Sequence, residues 1–208
     1  MEPPDPAAAP VSRVLPASSY NRMRWKNGAG WTSEILRVPD HDDWHWRLSI
    51  AEIETDAPFS TFQGVERELV LLSGNGLRLR FDDDSSGGVH ELLPPHDKLR
   101  FAGEYAAVGE LIDGPTRDFN LMWKRDRCDA QLWHRPLVGT MVVFVAPGET
   151  WAVHVLAGQA RFADDSGLGA MQMGDTAILV SNEARTRHVL DGGGELLLIR
   201  IEPIPFPR

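Results

Sequence analysis

"WHWRLSIAEI", residues 44–53, is the stretch that decides the fold class, because its apolar and polar residues alternate. A β-strand repeats its side-chain direction every two residues, whereas a helix repeats it about every 3.6 residues. One face of this segment is therefore apolar and carries Trp44, Trp46, Leu48 and Ile50. The other face is polar and carries His45, Arg47 and Ser49. The segment predicts a strand with one face against a core.

The same period of two recurs along the chain. "ELVLLSGNGLRLRF", residues 68–81, predicts a β-hairpin with its tight turn at Asn75-Gly76, and "DDDSSGG", residues 82–88, predicts a polar loop. Further strands are predicted for "MVVFV", "WAVHVLAG", "TAILV" and "ELLLIRIEP", which are separated by glycine- and proline-containing turns. No segment has the pattern of a three-turn amphipathic helix. Many short strands at close spacing indicate an all-β protein, either a sandwich or a barrel.

A short internal repeat indicates how the chain is divided. "VLLSG" at residues 70–74 is echoed by "HVLAG" at residues 154–158, and a strand that carries arginine follows each copy. Two related β-barrels account for a chain of 208 residues. We expect a loose leader at residues 1–14, a first barrel at 15–125 and a second barrel at 126–208.

The composition restricts the partners and the location. The net charge is −9 and there is no local basic patch, which argues against nucleic acid and anionic membrane surfaces as partners. No apolar run approaches the ~18 residues that span a bilayer, and the opening residues lack the pattern of a signal peptide. We therefore expect a cytoplasmic protein. The single cysteine, Cys128, excludes an internal disulfide and a multi-cysteine metal site.

"RWKNGAGWTSEI", residues 24–35, combines a cation, an amide and two glycines in a way that suits an anion. Lys26 supplies a positive charge, and Asn27 supplies a donor and an acceptor. Residues 28–30 allow backbone amides to converge on one point. Glu34 follows on the next strand, where it can orient Lys26 or accept a hydrogen bond from a ligand amine. The alternative is an exposed turn that packs on its flanking tryptophans.

Polar residues of other predicted strands extend this cluster if the sheet closes. In a closed barrel the polar face of residues 44–53 lines the interior, where buried polar groups need partners. "DAPFSTFQGVER" adds Phe59, Ser60, Phe62 and Arg67. "DGPTRDFNLMWKR" alternates Asp118 and Asn120 about Phe119. Such a set of cations, amides and aromatic rings suits a small, flat molecule that bears a carboxylate.

The seven histidines do not form a metal-binding set. Gly148 followed by His154 is similar to the first motif of cupin barrels, but Leu156 occupies the position of the second histidine and the usual glutamate is missing. His188 corresponds to the histidine of the later cupin motif at an unusual spacing. Two imidazoles without a carboxylate make a poor site for a divalent ion, so we expect no metal and no other cofactor.

Three motifs taken together resemble the HutD/Ves family, small proteins of bicupin fold linked to histidine utilisation. The motifs are "RWKNGAGWTSEI", "WRLSIAEIETDAPFSTFQGVERELVLLSGNG" and "LIDGPTRDFNLMWKR", and they follow one another in the family's order over residues 15–125. The second half of the chain is similar only in its general cupin character. Ala29 stands where the family usually has a third glycine in the first motif.

The resemblance implies an all-β bicupin, that is, two double-stranded β-helix barrels without the usual metal histidines. It also implies that the protein binds a small intermediate of histidine breakdown, such as urocanate or formylglutamate, and regulates that pathway. Carried onto this chain, the residues expected to bind the ligand are Lys26, Asn27, Thr32, Glu34, Arg47, Ser49, Phe59, Ser60, Arg67 and Asn120.

Alternatives to a non-enzymatic carboxylate-binding protein remain open at this level. A cupin-type isomerase or hydrolase acting on a small organic acid would use Glu34, His154 or His188 for acid–base chemistry. A protein-interaction module is a further possibility, because seven tryptophans are many for this length. A homodimer is compatible with the sequence, and the motifs do not separate the HutD branch from the Ves branch.

Overall fold

The computed structural model describes residues 11–82 and 88–204, and the regular structure in these residues is sixteen β-strands with short 3-10 turns. The all-β class predicted from the alternating pattern is therefore confirmed. The described residues contain no helix that is both long and apolar enough to cross a bilayer. Residues 1–10 of the predicted leader and residues 83–87 of the predicted polar loop lie outside the described residues.

The chain divides into two compact units, and the division falls between Asp129 and Ala130. We call Ser18–Asp129, together with Ile204, the N-terminal unit. We call Ala130–Pro203, together with residues 11–17, the C-terminal unit. The predicted division lay a few residues earlier, between residues 125 and 126.

The N-terminal unit contains two antiparallel sheets. The six-stranded sheet has the order β2-β3-β4-β11-β6-β9, and its strands are β2 (Asn21–Arg24), β3 (Gly30–Val38), β4 (Trp46–Ile53), β6 (Val65–Ser73), β9 (Lys98–Ala102) and β11 (Thr116–Lys124). The four-stranded sheet has the order β5-β10-β7-β8, and its strands are β5 (Ala57–Pro58), β7 (Leu77–Phe81), β8 (Val89–Leu92) and β10 (Ala107–Leu111). Leu69 and Leu71 of the first sheet pack with Leu77, Leu79 and Phe81 of the second, so a shared apolar core joins the two sheets.

The C-terminal unit is built on one sheet with the order β1-β15-β13-β16-β12, and β14 pairs with β13. Its strands are β1 (Arg13–Leu15), β12 (Cys128–Val145, which begins before the division), β13 (Thr150–Phe162), β14 (Ala170–Gln172), β15 (Thr176–Val180) and β16 (Thr186–Pro203). Val153, Val155, Leu179 and Leu196 belong to its apolar core. The segments predicted as strands in this half of the sequence lie in β12, β13, β15 and β16.

Two expectations about local structure are wrong. Arg13 and Val14 were expected in a loose leader, but they lie in β1 and pair with Ile178 and Ala177 of β15, which satisfies their backbone groups. Residues 68–81 were expected to form a hairpin, but β6 pairs with β11 and β9, whereas β7 pairs with β10 and β8. The turn at Asn75-Gly76 therefore carries the chain from one sheet to the other.

The tryptophans are packed rather than presented to solvent. Trp44, Trp46 and Trp123 are buried, and Trp25, Trp31, Trp133 and Trp151 are half-buried. Tryptophans favour a protein interface when they are exposed, so the hypothesis of a protein-interaction module loses its main support.

The two glycines of the opening motif have different structural roles. Gly28 has a φ of +74°, the left-handed region that side chains with a Cβ rarely adopt, and nothing lies close to where its Cβ would be. Gly30 begins β3 and pairs with Ile53 of β4, and a Cβ on Gly30 would overlap the carbonyl oxygen of Glu52. Gly28 is thus required by backbone conformation, and Gly30 by the close approach of two strands.

We expect Gly30→Ala to lower the free energy of unfolding by about 3 kcal/mol, because the obstructing oxygen belongs to the backbone of a paired strand and cannot move independently. Gly28→Ala is the matched control and should cost only about 1–2 kcal/mol, the strain of a left-handed residue. Urea unfolding of both variants measures the difference. Equal losses would contradict the steric role of Gly30.

Candidate functional site

A cavity of about 710 Å³ lies within the N-terminal unit. This volume is in the range of small-molecule binding sites. The cavity brings together nine of the ten residues predicted to bind a ligand: Lys26, Asn27, Thr32, Arg47, Ser49, Phe59, Ser60, Arg67 and Asn120. The tenth, Glu34, does not line it. Residues that sequence reasoning did not select also contribute to the wall, and Trp25, Phe62, Asp118 and Met122 are among them.

The register of the six-stranded sheet places these residues in rows. Met122 of β11 lies opposite Arg67 of β6 on one side and Arg47 of β4 on the other. Because side chains alternate along a strand, Met122, Asn120 and Asp118 share one face of β11. The cavity is therefore built on the interior face of a regular antiparallel sheet.

The next two rows follow the same register. Asn120 lies opposite Leu69 of β6 and Ser49 of β4. Asp118 lies opposite Ala51 of β4, and Ala51 in turn lies opposite Thr32 of β3. The row of arginines is thus followed by a row with an amide and a hydroxyl, and then by a row with a carboxyl and a hydroxyl.

Arg67 is buried, with a relative exposure of 5%. Its guanidinium lies between 5.1 and 5.8 Å from the ring centroids of Phe59, Phe62 and Phe101, and Nη1 donates to the carbonyl oxygen of Ser60 at 3.2 Å. Among the described residues no carboxylate pairs with Arg67, and its Nε has no hydrogen-bond partner. Burial, together with the smaller effect of the neighbouring charge of Arg47, lowers the pKa of Arg67 to about 10.

Arg47 and Glu34 form an ion pair at the side of the cavity, with Arg47 Nε 2.8 Å from Glu34 Oε2. The alignment of the two groups is unfavourable for a hydrogen bond, so Arg47 Nε still lacks a hydrogen-bond partner. Glu34 also lies 3.7 Å from the guanidinium of Arg37. The expectation that Glu34 orients Lys26 is therefore wrong, because the cross-strand register places Glu34 beside Ser49 and within reach of the two arginines.

The loop between β2 and β3 does not form the expected anion-binding concavity. The amide of Ala29 donates to Asn27 Oδ1 at 3.0 Å, and the amide of Gly28 donates to the carbonyl oxygen of Trp25 at 3.0 Å. These amides are satisfied inside the turn and do not converge on an external point. Lys26 is exposed at the cavity wall, and no carboxylate in the described part of the chain pairs with it.

Trp25 and Thr32 connect this loop to the cavity floor. Trp25 Nε1 donates to Thr32 Oγ1 at 2.8 Å, and the Trp25 ring packs edge-on against Phe59 with centroids 6.4 Å apart. The indole is thereby oriented, and Trp25 and Phe59 together present aromatic surface to the cavity.

Asp118 was noted in the sequence for its alternation with Asn120, but it is not among the ten residues predicted to bind the ligand. It is fully buried, Oδ2 accepts from Thr116 Oγ1 at 3.3 Å, and Oδ1 has no partner. Burial raises the pKa of Asp118 to about 7, against the opposing effect of the Thr116 hydrogen bond. A signal was available in the sequence, because Asp118 and Asn120 are two residues apart and must share a strand face.

Unsatisfied polar atoms single out this cavity. Among the described residues of the N-terminal unit, the buried side-chain nitrogens and oxygens without a partner are Arg47 Nε, Arg67 Nε, Asp118 Oδ1 and Asn120 Oδ1. All four residues line the cavity. Buried polar groups are nearly always hydrogen-bonded in folded proteins, so these four atoms are the ones that water or a ligand in the cavity would have to satisfy.

The two histidines considered for catalysis lie in the C-terminal unit and face different ways. His154 Nδ1 lies 2.9 Å from Thr176 Oγ1, and its neighbours Val153 and Val155 point into the apolar core. His188 shares a strand face with Leu190, a member of that core, and its ring packs against Phe162. Because β13 and β16 are adjacent strands of one sheet, the two imidazoles lie on opposite faces and do not share an ion.

Comparison with known proteins supplies a family match. A family model described as HutD matches residues 17–198. The chain is 43% identical over 122 residues to an uncharacterized 21.2 kDa protein in the hutC 3′ region of Pseudomonas putida, a match that covers 58% of this chain and 62% of that protein. This alignment therefore spans less than two thirds of the relative. The chain is also 33% identical over 189 residues to protein Ves of Citrobacter koseri, covering 87% of this chain and 89% of that protein.

Solved structures agree with this match. HutD from Pseudomonas fluorescens SBW25 superimposes with a TM-score of 0.78 at 29% identity, covering 92% of this chain and 98% of that one. The bacterial pirin YhhW from Escherichia coli, in complex with nickel(II), superimposes with a TM-score of 0.67 at 9% identity, covering 92% and 99%. The second likeness concerns the fold alone and supports a cupin-like β architecture.

The raised pKa of Asp118 predicts a pH-dependent stability difference between Asp118→Asn and the unchanged protein. The folded protein holds the Asp118 proton more tightly than the unfolded chain, so the cost of burying the carboxylate is absent below about pH 4 and fully present above about pH 7. The gain in unfolding free energy on replacement should therefore grow from pH 4 to pH 8, by an amount on the order of 2–4 kcal/mol. Urea unfolding across this range measures it.

Asp129→Asn, at an exposed carboxylate of the same unit, is the control for that series. For the control, the difference in unfolding free energy from the unchanged protein should stay constant with pH. A constant difference for Asp118→Asn would contradict the protonated state of the buried carboxyl.

Proposed function

The chain belongs to the HutD family, and we propose that it is a binding protein for a small carboxylate, held in the cavity of the N-terminal unit beside Arg47 and Arg67. The observation that carries this proposal is the presence, at the wall of one cavity, of two guanidinium groups whose Nε atoms make no hydrogen bond. Arg47 is ion-paired with Glu34. Arg67 in particular has no carboxylate counterpart among the described residues. A bound carboxylate would supply both the missing charge and the missing acceptors.

The electrostatics of the site favour an anionic ligand. Burial of a charged group without a partner costs free energy, and the lowered pKa of Arg67 is an expression of that cost. Arg47 lies opposite the same residue of β11 as Arg67 does, so one anion can interact with both guanidinium groups. Planar guanidinium groups match the geometry of a carboxylate, which two parallel N–H donors can bind at once.

The apolar part of the cavity wall favours a flat ligand. Trp25, Phe59 and Phe62 line the cavity, and Phe59 and Phe62 also contact the buried guanidinium. Such a wall excludes water from the charged contacts and provides stacking surface. We expect a planar or extended small molecule to bind better than a branched one.

The names of the relatives suggest where such a ligand comes from. The Pseudomonas putida relative lies in the hutC 3′ region, and the Pseudomonas fluorescens HutD structure was determined in a formate condition, formate being the smallest carboxylate. We infer that the ligand is an intermediate of histidine breakdown, with urocanate and formylglutamate as the leading compounds. Binding would tune histidine utilisation in the cytoplasm. We further infer that both units are cupin barrels, so that the chain is a bicupin.

The enzymatic alternative is less well supported. It assigned acid–base chemistry to Glu34, His154 or His188. Glu34 is held by Arg47 and lies beside Arg37, and the two histidines occupy opposite faces of one sheet. We therefore retain binding without turnover as the proposal.

Calorimetric titration with urocanate, formylglutamate and formate tests the site. Arg67→Met and Arg47→Met should each weaken binding by about 30-fold or more, because a buried charge-assisted contact contributes about 2–5 kcal/mol. Lys26→Ala should weaken binding by less than about tenfold, since an exposed cation is screened by water.

Arg80→Met is the matched control, because Arg80 is an exposed arginine of the same unit that does not line the cavity. Both cavity variants remove a buried charge, so thermal unfolding should show that they remain folded. Undiminished binding in folded Arg67→Met and Arg47→Met proteins would rule out this cavity as the carboxylate site.

A further inference from the structure

We propose that Asp118 and Asn120 form a second, hydrogen-bond-accepting subsite of the cavity, which selects carboxylates that also carry an N–H donor. This inference rests on the proposed function and adds a ligand class to it. The arginine end of the cavity accounts for a carboxylate. It does not account for unpartnered acceptors in the same wall.

The two ends of the cavity lack opposite kinds of partner. Arg67 Nε is a donor without an acceptor, and Arg47 Nε makes no hydrogen bond although it is ion-paired with Glu34. Asp118 Oδ1 and Asn120 Oδ1 are acceptors without donors. A simple carboxylate offers acceptors only, so it would satisfy the first pair and leave the second unsatisfied. A ligand that has a carboxylate at one end and an N–H group at the other would satisfy both.

The strand geometry sets the spacing of these two functions. Met122 marks the arginine row on β11, Asn120 is two residues away and Asp118 is four residues away on the same face. With a rise of about 3.3 Å per residue, the backbone positions of the acceptor rows lie about 7 and 13 Å from the arginine row. Arginine side chains are long and reach part of this distance, so a molecule of amino-acid size can meet both ends.

Asp118 is fully buried and borders the cavity, so the cavity is the side from which a ligand would reach its carboxyl. On β4 the residue opposite Asp118 is Ala51, whose side chain is a single methyl group, and both residues line the cavity. Among the described residues, the side chain that hydrogen-bonds the carboxyl is Thr116, and it contacts only Oδ2. The unpartnered atom therefore belongs to a residue of the cavity wall that borders the apolar core at Ala51 and Leu71.

A donor that reaches Asp118 would favour the ionised form of its carboxyl. Among the described residues, the charged groups on the same face of the sheet are Arg67 on β6, Arg47 on β4, and Glu34 and Arg37 on β3. The cavity wall also includes Lys26 and Arg24, which is paired with Glu54. The four-stranded sheet contributes apolar side chains to the unit's core. Because burial raises the pKa of Asp118 to about 7, an N–H donor that bonds the carboxylate should displace a proton near neutral pH.

Two matched ligand pairs test the selection. Urocanate is compared with its furan analogue, 3-(2-furyl)acrylate, in which the ring carries no N–H group. N-formylglutamate is compared with glutarate, which lacks the formamide. In calorimetric titration of the unchanged full-length protein, we expect the N–H member of at least one pair to bind about tenfold or more tightly, because buried acceptors left unpartnered are costly.

Asp118→Leu removes the acceptors while keeping a similar side-chain volume, and it should reduce the preference within the pair to less than about threefold. Asp118→Asn keeps one acceptor but cannot titrate. The dissociation constant of N-formylglutamate should decrease as the pH rises from 6 to 8 in the unchanged protein and stay level in Asp118→Asn. This ligand is chosen because its own groups do not change charge in that range.

Asp129→Asn, outside the cavity, should retain both the preference and the pH dependence, and thermal unfolding verifies that each variant is folded. Binding of all four ligands without preference between pair members, or tightening as the pH falls, would overturn the acceptor subsite and leave the carboxylate site intact. Absence of binding by all four would instead remove the proposed function itself.

Discussion

The antiparallel register of β6, β11 and β4 is the constraint on which the cavity depends. It aligns Arg67, Met122 and Arg47 across three strands, and it places Asn120 and Asp118 on the same face of the middle strand. A slip of one residue in β11 would turn Asn120 and Asp118 toward the other face and would bring Phe119 and Leu121 into the cavity. The buried apolar residues between these polar positions prevent such a slip. The polar site is therefore held in place by the packing of the opposite face.

Polar residues on the interior face of this sheet lower the stability of the folded protein when no ligand is bound. A buried guanidinium without a carboxylate and a buried carboxyl with a raised pKa both disfavour the folded state. Apolar residues at these positions would make a more stable core. The polar groups instead make the cavity suited to recognition of a ligand. Under the proposed function, the arginines would attract the charge of the ligand, the aromatic rings would exclude water, and the acceptors would distinguish between carboxylates.

Sequence reasoning identified half of the residues that line the cavity, because period-two alternation assigns each residue to a face. Arg47 and Ser49 were selected on that ground, and they do line the cavity together with the loop residues Lys26 and Asn27. Sequence reasoning failed where an amide or a side chain already has another partner in the folded protein. The amides of the glycine-containing turn donate to Asn27 and Trp25, so they do not converge on an anion. Glu34 is paired with Arg47, so it does not orient Lys26.

The alternation of apolar and polar residues in the sequence was sufficient to determine an all-β protein, because a strand's face repeats every two residues whatever it pairs with. The same alternation does not specify pairing partners, and only the tertiary structure showed that β6 and β7 enter different sheets. Nor does it specify the depth of burial. The tertiary structure alone decided that Arg67 is buried without a carboxylate and that Asp118 Oδ1 has no donor, because partnership and desolvation are properties of all the surrounding strands together.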